Sequence, residues 1–498
     1  MTHAQNRARR VSDGDGGLGA AYQPPQPDPK RWLVLAVIAV CQLMTVLDAS
    51  IVNIALPQAQ HALDISDADR QWVVTAYTLT FGGLLLLGGR LADFLGRKRV
   101  FITGLAGFAL ASALGGLAPD SAVLFGARAL QGGFAALMAP AALSLLAVTF
   151  TERKERATAF SVYGGISGGG AAIGLILGGV LTQYASWRWC LLVNVPVALI
   201  TAACALRLVR ESRAEGTAHY DIPGAVTVTL GLAGLVYGLT EAETDGWGSP
   251  ATLAFLVAAV LVLAAFVAIE ARSQHPLLPL RVVLERNRGG AFLAALLSGT
   301  GLFGMFLFLT YYLQGTLHYS PLKTGFAFLP FSIGIVIGAG LTSQLLPRFG
   351  PRNLLAPGLL LAAAGLLWFT RIGVSASYAL HVLPAEIVVS IGMGLVFVTV
   401  ASTALVGVAD RDAGVASALV NTSQQVGGSL GTALLNTIAA TSTANDLITR
   451  HGAVQAGLVH GYRLAFAVSA VVLAAGGVAS FLLIRAGRDD LPDTHAAS

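Results

Sequence analysis

WLVLAVIAVCQLMTVLDASIVNIALP, residues 32–57, decides what kind of molecule this is. The stretch carries a single charged side chain, Asp48, and exceeds the ~20 apolar residues that cross ~30 Å of hydrocarbon. No water reaches the backbone there, so the stretch must be a helix. Thirteen similar stretches follow. The pattern predicts spans at 33–56, 71–92, 99–118, 122–147, 157–184, 187–208, 221–240, 251–270, 290–314, 323–346, 353–371, 380–407, 413–440 and 462–485. The division between the fifth and sixth rests on the Ser186-Trp187-Arg188-Trp189 corner, whose aromatics mark a membrane interface. The fold class expected is all-α integral membrane with fourteen transmembrane helices. Composition agrees: hydrophobic residues are 55% of the 498, charged residues 11%, and mean hydropathy is +0.70. A soluble domain of this length carries far more charge.

The loops alternate in charge. With the N-terminus cytoplasmic, inside segments hold 23 Lys and Arg and outside loops hold six. The positive-inside rule therefore predicts that both termini are cytoplasmic. The net charge of +5 is a consequence of topology, and no nucleic-acid partner is expected. Residues 1–30 are polar and rich in Gly, Pro and Arg, which predicts a disordered tail, and the apolar run after them is too long for a signal peptide. Cys41, Cys190 and Cys204 all fall within spans without metal-ligand spacing, so neither metal nor redox chemistry is expected. Arginine outnumbers lysine 27 to 4 amid much Ala and Gly, a hint of a bacterial, GC-rich source and hence of a bacterial plasma (inner) membrane.

The chain echoes itself. GRLADFLGRKR at 89–99 follows the second span, and Pro347-Arg348-Phe349-Gly350-Pro351-Arg352 follows the tenth. Both end a helix with a basic residue, Gly and another basic residue. Two six-helix halves with an extra pair between them are expected. The boundaries are a tail at 1–30, a first half at 31–210, inserted helices at 211–285, a second half at 286–486 and a tail at 487–498.

Three charged residues lie where a membrane should exclude them. Asp48 falls ~13 Å, and Arg128 ~9 Å, below the outer surface at 1.5 Å per residue. A carboxylate at that depth costs several kcal/mol unless paired, hydrated or protonated. The two heights permit a direct or water-bridged contact, and a proton on Asp48 would then depend on Arg128. A static ion pair between helices would read the same way. Glu386 lies a turn or two into the twelfth span beside His381, shallow enough to meet interfacial water, and is a possible proton or substrate contact. Gln131 and Asn53 are further possible contacts. Asn194, Asn421, Gln424 and Gln425 read as polar glue between helices.

Glycines crowd the fifth span, from Gly164 to Gly179, and recur in the thirteenth at Gly414, Gly427, Gly428 and Gly431. Small-xxx-small spacing brings backbones close, which suits plain packing and also a contact that slides. No Walker A loop, H-E-x-x-H or nucleophile elbow is present, so neither an enzyme nor an ATP-driven pump is expected.

Together these residues resemble the fourteen-span drug:proton antiporters of the major facilitator superfamily. LDASIVNIALP at 47–57 is similar to their first-helix signature, with Ser50 where Thr is usual. GRLADFLGRKR looks like the superfamily's loop motif, and the resemblance puts Gly89, Asp93, Gly96, Arg97 and Lys98 at its gating positions. Arg128-Ala129-Leu130-Gln131-Gly132 matches the fourth-span motif, whose arginine is implicated in proton transfer. Gly170, Gly174, Gly178 and Gly179 fit the fifth-span antiporter motif, although Leu175 stands where that motif has Pro. SWRWCLLVNVPVAL at 186–199 looks like the family's sixth span.

The resemblance implies a monomeric, cofactor-free exporter of small amphipathic compounds. The proton gradient would drive it through Asp48 and Arg128, and the two halves would alternate access to a central cavity. An importer or a dedicated metabolite exporter of the same fold is the nearest alternative. A receptor or scaffold would need longer soluble segments than the connections of about twenty residues found here, and an enzyme acting on lipids would need a nucleophile that cannot be nominated.

Overall fold

The computed structural model describes residues 29–67, 69–150, 152–213, 221–274, 276–408, 410–449 and 454–488. The expected N-terminal tail, but for residues 29 and 30, and most of the C-terminal one lie outside these residues, as do residues 214–220 of the charged segment at 207–220. Fourteen long helices occupy the described chain. The first six are α1 (Arg31–Ala62), α2 (Trp72–Leu95), α3 (Arg97–Gly116), α4 (Ser121–Thr149), α5 (Arg153–Tyr184) and α6 (Trp189–Leu208). Then come α7 (Ile222–Thr244) and α8 (Pro250–Arg272). The last six are α9 (Arg286–Thr316), α10 (Pro321–Phe349), α11 (Arg352–Phe369), α12 (Tyr378–Ala404), α13 (Asp410–Thr449) and α14 (Val454–Leu483).

Among the described residues, 13 helices are long and apolar enough to span a bilayer. The exception is α13, whose 40 residues include many Ser, Thr, Asn and Gln. Side-chain oxygens start several helices by accepting otherwise orphaned backbone N–H groups. Asp120 caps α4 through Val123 N at 2.9 Å, and Ser320 caps α10 through Lys323 N at 3.3 Å. The chain breaks between α5 and α6 at the aromatic corner, as the sequence predicts. Helix α14 begins at Val454, eight residues before the span expected at 462, because the small and apolar residues of Val454–Gly461, broken only by Gln455 and His460, continue the same helix.

Helix contacts repeat across the chain. Helix α1 packs on α5, α2 on α4, and α3 on both α4 and α6. In the same order, α9 packs on α13, α10 on α12, and α11 on both α12 and α14. Two crossings join the sets, α2 with α13 and α5 with α10. Helices α7 and α8 pack on each other, and α7 also lies against α2 and α13. Only 17% of the apolar window of α8 is buried, against 67% for α2. The outward face of α8, with Leu253, Val257, Val260 and Leu261, is therefore a surface for lipid.

Candidate functional site

Asp48 and Arg128 meet directly. Helices α2 and α4 approach closely because Gly132 faces the Tyr77 carbonyl and Gly88 faces the Ala136 carbonyl, with no room for a Cβ at either. That closeness lets the Arg128 side chain cross to its neighbours. Its Nε donates to the Val73 carbonyl at 2.8 Å, and its Nη1 donates to Asp48 Oδ2 at 2.8 Å and to Gln131 Oε1 at 2.9 Å. The guanidinium also lies over the Tyr77 ring, 4.5 Å from its centre, a favourable placement for a cation. Gln131 Nε2 donates to Asp48 Oδ1 at 3.1 Å and to Ser112 Oγ at 2.7 Å. Asn194 Nδ2 completes the shell, donating to Asp48 Oδ1 at 2.7 Å. Asp48 is 0% exposed and Arg128 2%.

Five helices thus converge on one carboxylate. A buried ion pair survives best when its remaining lone pairs and protons are hydrogen-bonded; here Asp48 accepts three hydrogen bonds, and Arg128 donates through Nε and Nη1. Of the residues singled out from sequence, Asp48, Arg128 and Gln131 come together, and Asn194, read as helix glue, is a direct partner of the acid. Tyr77 and Ser112 carried no signal, since an isolated Tyr or Ser in a span is ordinary. Asn53 stays outside: its Nδ2 donates to the Ala49 carbonyl at 3.1 Å, one turn back on its own helix. A small cavity lies on the α6 side of Arg128, walled by Ala55, Leu56, Trp187, Cys190 and Leu191.

The antiporter glycines seat α5 against α1 on the flank of Val46, Leu47, Ser50 and Ile51, while Asp48 faces α4 and α6. A Cβ on Gly174 would lie 2.9 Å from Ser50 Cβ, and one on Gly178 would lie 2.8 Å from Ile51 Cγ1 and 3.0 Å from the Ile51 carbonyl. Gly170 faces Val46 on the same helix, at 3.0 Å. Gly179 faces away, toward Leu322 of α10 at 2.7 Å, so this stripe serves two contacts. Beside it Leu175, where a proline was expected, is buried with its carbonyl opposite Gly325. In the second set, Gly427 and Gly431 of α13 meet Leu296 and Thr300 of α9 in the same manner.

The loop motif forms a second polar centre. Arg97 Nη2 donates to Asp93 Oδ1 at 2.8 Å and Nε to the same oxygen at 3.1 Å. Gly96 turns the chain with φ +113°, a left-handed conformation that favours glycine, and a Cβ there would strike the Glu211 carboxyl at 2.7 Å. Glu211 accepts from Lys98 N at 3.1 Å, at the start of α3, and Lys98 Nζ donates to the Leu206 carbonyl at 2.8 Å. An anion at a helix N-terminus is favourable. Glu211 was not singled out from sequence, because it lies more than a hundred residues from its partners. Gly89 has ordinary space beside Pro140, at 3.5 Å; the close crossing belongs to its neighbour Gly88.

Glu386 is 0% exposed, in contrast to the shallow, water-reaching position expected. Tyr378, in the first turn of the same helix, has its hydroxyl 2.7 Å from the Ala327 carbonyl of α10 and 3.2 Å from Glu386 Oε2. His381 remains on the surface with Nδ1 3.2 Å from the Ser377 carbonyl.

Comparison with known proteins places this architecture. The family model for the Major Facilitator Superfamily matches residues 38–432. Puromycin resistance protein pur8 of Streptomyces alboniger is 51% identical over 95% of each chain. Cephamycin export protein CmcT of Amycolatopsis lactamdurans is 39% identical over 89% of this chain and 92% of its own. The crystal structure of a bacterial homolog to the human lysosomal transporter Spinster, inward-facing and occupied, shares the fold at TM-score 0.69 and 14% identity. It covers 94% of this chain and 99% of that one. The chain belongs to the major facilitator superfamily and is a multi-span membrane transporter, not an enzyme.

Proposed function

We propose that this chain is a proton-coupled antiporter that exports antibiotic-like amphipathic compounds across a bacterial plasma membrane. The reading includes cytoplasmic termini and fourteen spans, with α13 counted as one. It also includes six-helix halves at 31–210 and 286–486, joined by inserted helices at 211–285. The repeated helix contacts support the halves, and the 23-to-6 charge asymmetry supports the orientation. The relatives named for puromycin resistance and cephamycin export support the direction and the substrate class.

The observation that carries the mechanism is the buried carboxylate held by three donors. As an anion, Asp48 fastens α1 to α4 and α6. A proton arriving from outside removes the charge that holds Arg128, and the crossings at Gly174 and Gly178 then permit α1 to shift against α5. Release of the proton inward restores the pair. Each proton yields ~2.3 kcal/mol per 100 mV, plus the pH gradient. The Asp93–Arg97 pair and Glu211 secure the cytoplasmic ends of α2, α3 and α6 during the cycle.

The test is transport in proteoliposomes with an internal pH dye, starting with puromycin. Puromycin moving uphill while protons move the opposite way is expected. Puromycin and protons moving together would make the protein an importer. Proton flux without any response to a panel of antibiotics would remove the proposed substrate class.

A further inference from the structure

Arg70 occupies an unusual place for a cation near the end of a span. Such side chains ordinarily snorkel to water. Arg70 instead is only 3% exposed and reaches from the start of α2 into the last six helices. Its Nε donates to Asn436 Oδ1 of α13 at 3.1 Å, and its guanidinium lies 4.2 Å above the Tyr311 ring of α9. Its Nη1 donates to Asp67 Oδ1 at 3.2 Å, and Asn436 Nδ2 donates back to the Asp67 carbonyl at 3.0 Å. Arg70, Asp67 and Asn436 therefore close a ring of hydrogen bonds across the two halves. The Tyr311 hydroxyl donates to Gln60 of α1 beside it.

The next residue on each side of that ring bonds the inserted helix. Gln71 Nε2 donates to Thr240 Oγ1 of α7 at 2.8 Å, and Thr437 Oγ1 donates to the Leu239 carbonyl of α7 at 2.9 Å. Positions 70 and 436 hold each other, while positions 71 and 437 hold adjacent residues of one further helix. If the halves part at this end, α7 can follow Gln71 or Thr437 but not both. Opening must then break the Arg70–Asn436 bond and one of the two α7 bonds together.

We propose that Arg70 is a positioning residue that latches the outer face closed, and that α7 braces this latch by bonding both halves. The proposal rests on the alternating-access reading and gives the inserted pair a mechanical role. Charge-assisted hydrogen bonds are the strong ones, so losing the Arg70 fork should change the ratio of open to closed outer faces on the order of tenfold.

The experiment places spin labels at Ala62→Cys and Ala444→Cys, exposed positions on α1 and α13, in the full chain with its native cysteines replaced. Distance distributions in nanodiscs are then compared. Arg70→Gln should enrich the long-distance population about tenfold, Arg70→Lys less, and Thr240→Val in the same direction by a smaller factor. Unchanged distributions in a folded Arg70→Gln protein would overturn the latch, and unchanged distributions in Thr240→Val would overturn the brace. Should Arg70→Gln fail to fold, Asn436→Ala decides the latch by the same readout. The label separation needs no substrate, so a failure of puromycin transport leaves the latch result standing.

Discussion

Replacing Asp48 by Asn looks gentle by size but is severe by hydrogen bonding. Asp48 accepts from Arg128 Nη1, Gln131 Nε2 and Asn194 Nδ2 and faces donors on every side. An amide in its place must present an NH2 to one group of donors. Gln131 cannot turn to accept it, because its Oε1 already accepts from Arg128 at 2.9 Å while its Nε2 also serves Ser112 at 2.7 Å. Arg128 would meanwhile keep its charge, 2% exposed, with its carboxylate gone. Breaking one side of a buried pair costs about 3–5 kcal/mol. Arg128→Met should cost a similar amount by stranding the anion. The double variant Asp48→Asn/Arg128→Met removes both problems, so it should be more stable than the sum of the single changes predicts, by at least ~1 kcal/mol. Thermal unfolding of the four proteins in one detergent measures that coupling. Antibiotic-driven proton release in proteoliposomes should vanish in all three variants, including the better-folded double one. Additive stabilities would refute the pairing argument. Wild-type proton release from the double variant would refute the role of the carboxylate.

Two further expectations follow from geometry elsewhere. Gly178→Leu should impair uphill transport and destabilise by about 1–3 kcal/mol, since even a Cβ would sit 3.0 Å from the Ile51 carbonyl. Gly164→Ala on the same helix, with nothing within 4 Å, should behave as wild type, and equal effects in an efflux assay would end the close-crossing argument. Arg31 donates to both oxygens of Glu155 at 2.7 Å and holds that carboxyl below its ordinary value of 4.5. This contribution is fully present above about pH 4.5 and fades as pH falls through the lowered folded value. The melting-temperature gap between wild type and Glu155→Gln should therefore be constant at neutral pH and shrink in acid. A gap that grows on acidification would show the sign to be wrong.

The sequence exposed whatever depends on hydropathy and local spacing. The apolar runs located the helices, and depth counting put Asp48 and Arg128 at matching heights because the rise per residue is fixed. It exposed far less of what depends on crossings. Asn194 and Gln131 looked alike as neutral polar groups in spans, and nothing along the chain told that both point at one carboxylate. Glu386 looked shallow by count, yet it is buried beside Tyr378, and packing from neighbouring helices is invisible to a one-dimensional depth estimate. Glu211 escaped notice because its partners Lys98 and Arg99, at the start of α3, lie more than a hundred residues away in the chain. Gly88 and Gly89 are adjacent and identical, and only the rotation of α2 against α4 separates the crowded one from the roomy one.

The placement of the acid against the glycine stripe is itself an argument about coupling. A packed helix crossing has discrete arrangements, because side chains interlock at crystal-like density. A stripe of glycines lowers the barrier between such arrangements by removing the interlocking knobs. Helix α1 carries the glycine crossing on the flank of Leu47, Ser50 and Ile51 and the hydrogen-bonded acid on the flank facing Arg128. In the proposed mechanism the first flank slides, and the second is fixed while Asp48 is charged. The corresponding crossing of α9 and α13 is lined by Gly427 and Gly431 and bridged by a neutral bond, Thr300 Oγ1 to the Gly427 carbonyl at 2.9 Å. A neutral bond does not respond to a proton. On that proposal, the first six helices hold the element that a proton would release. The last six can follow through the α5–α10 and α2–α13 crossings, where Gly179 and Gly82 bring the two sets into contact.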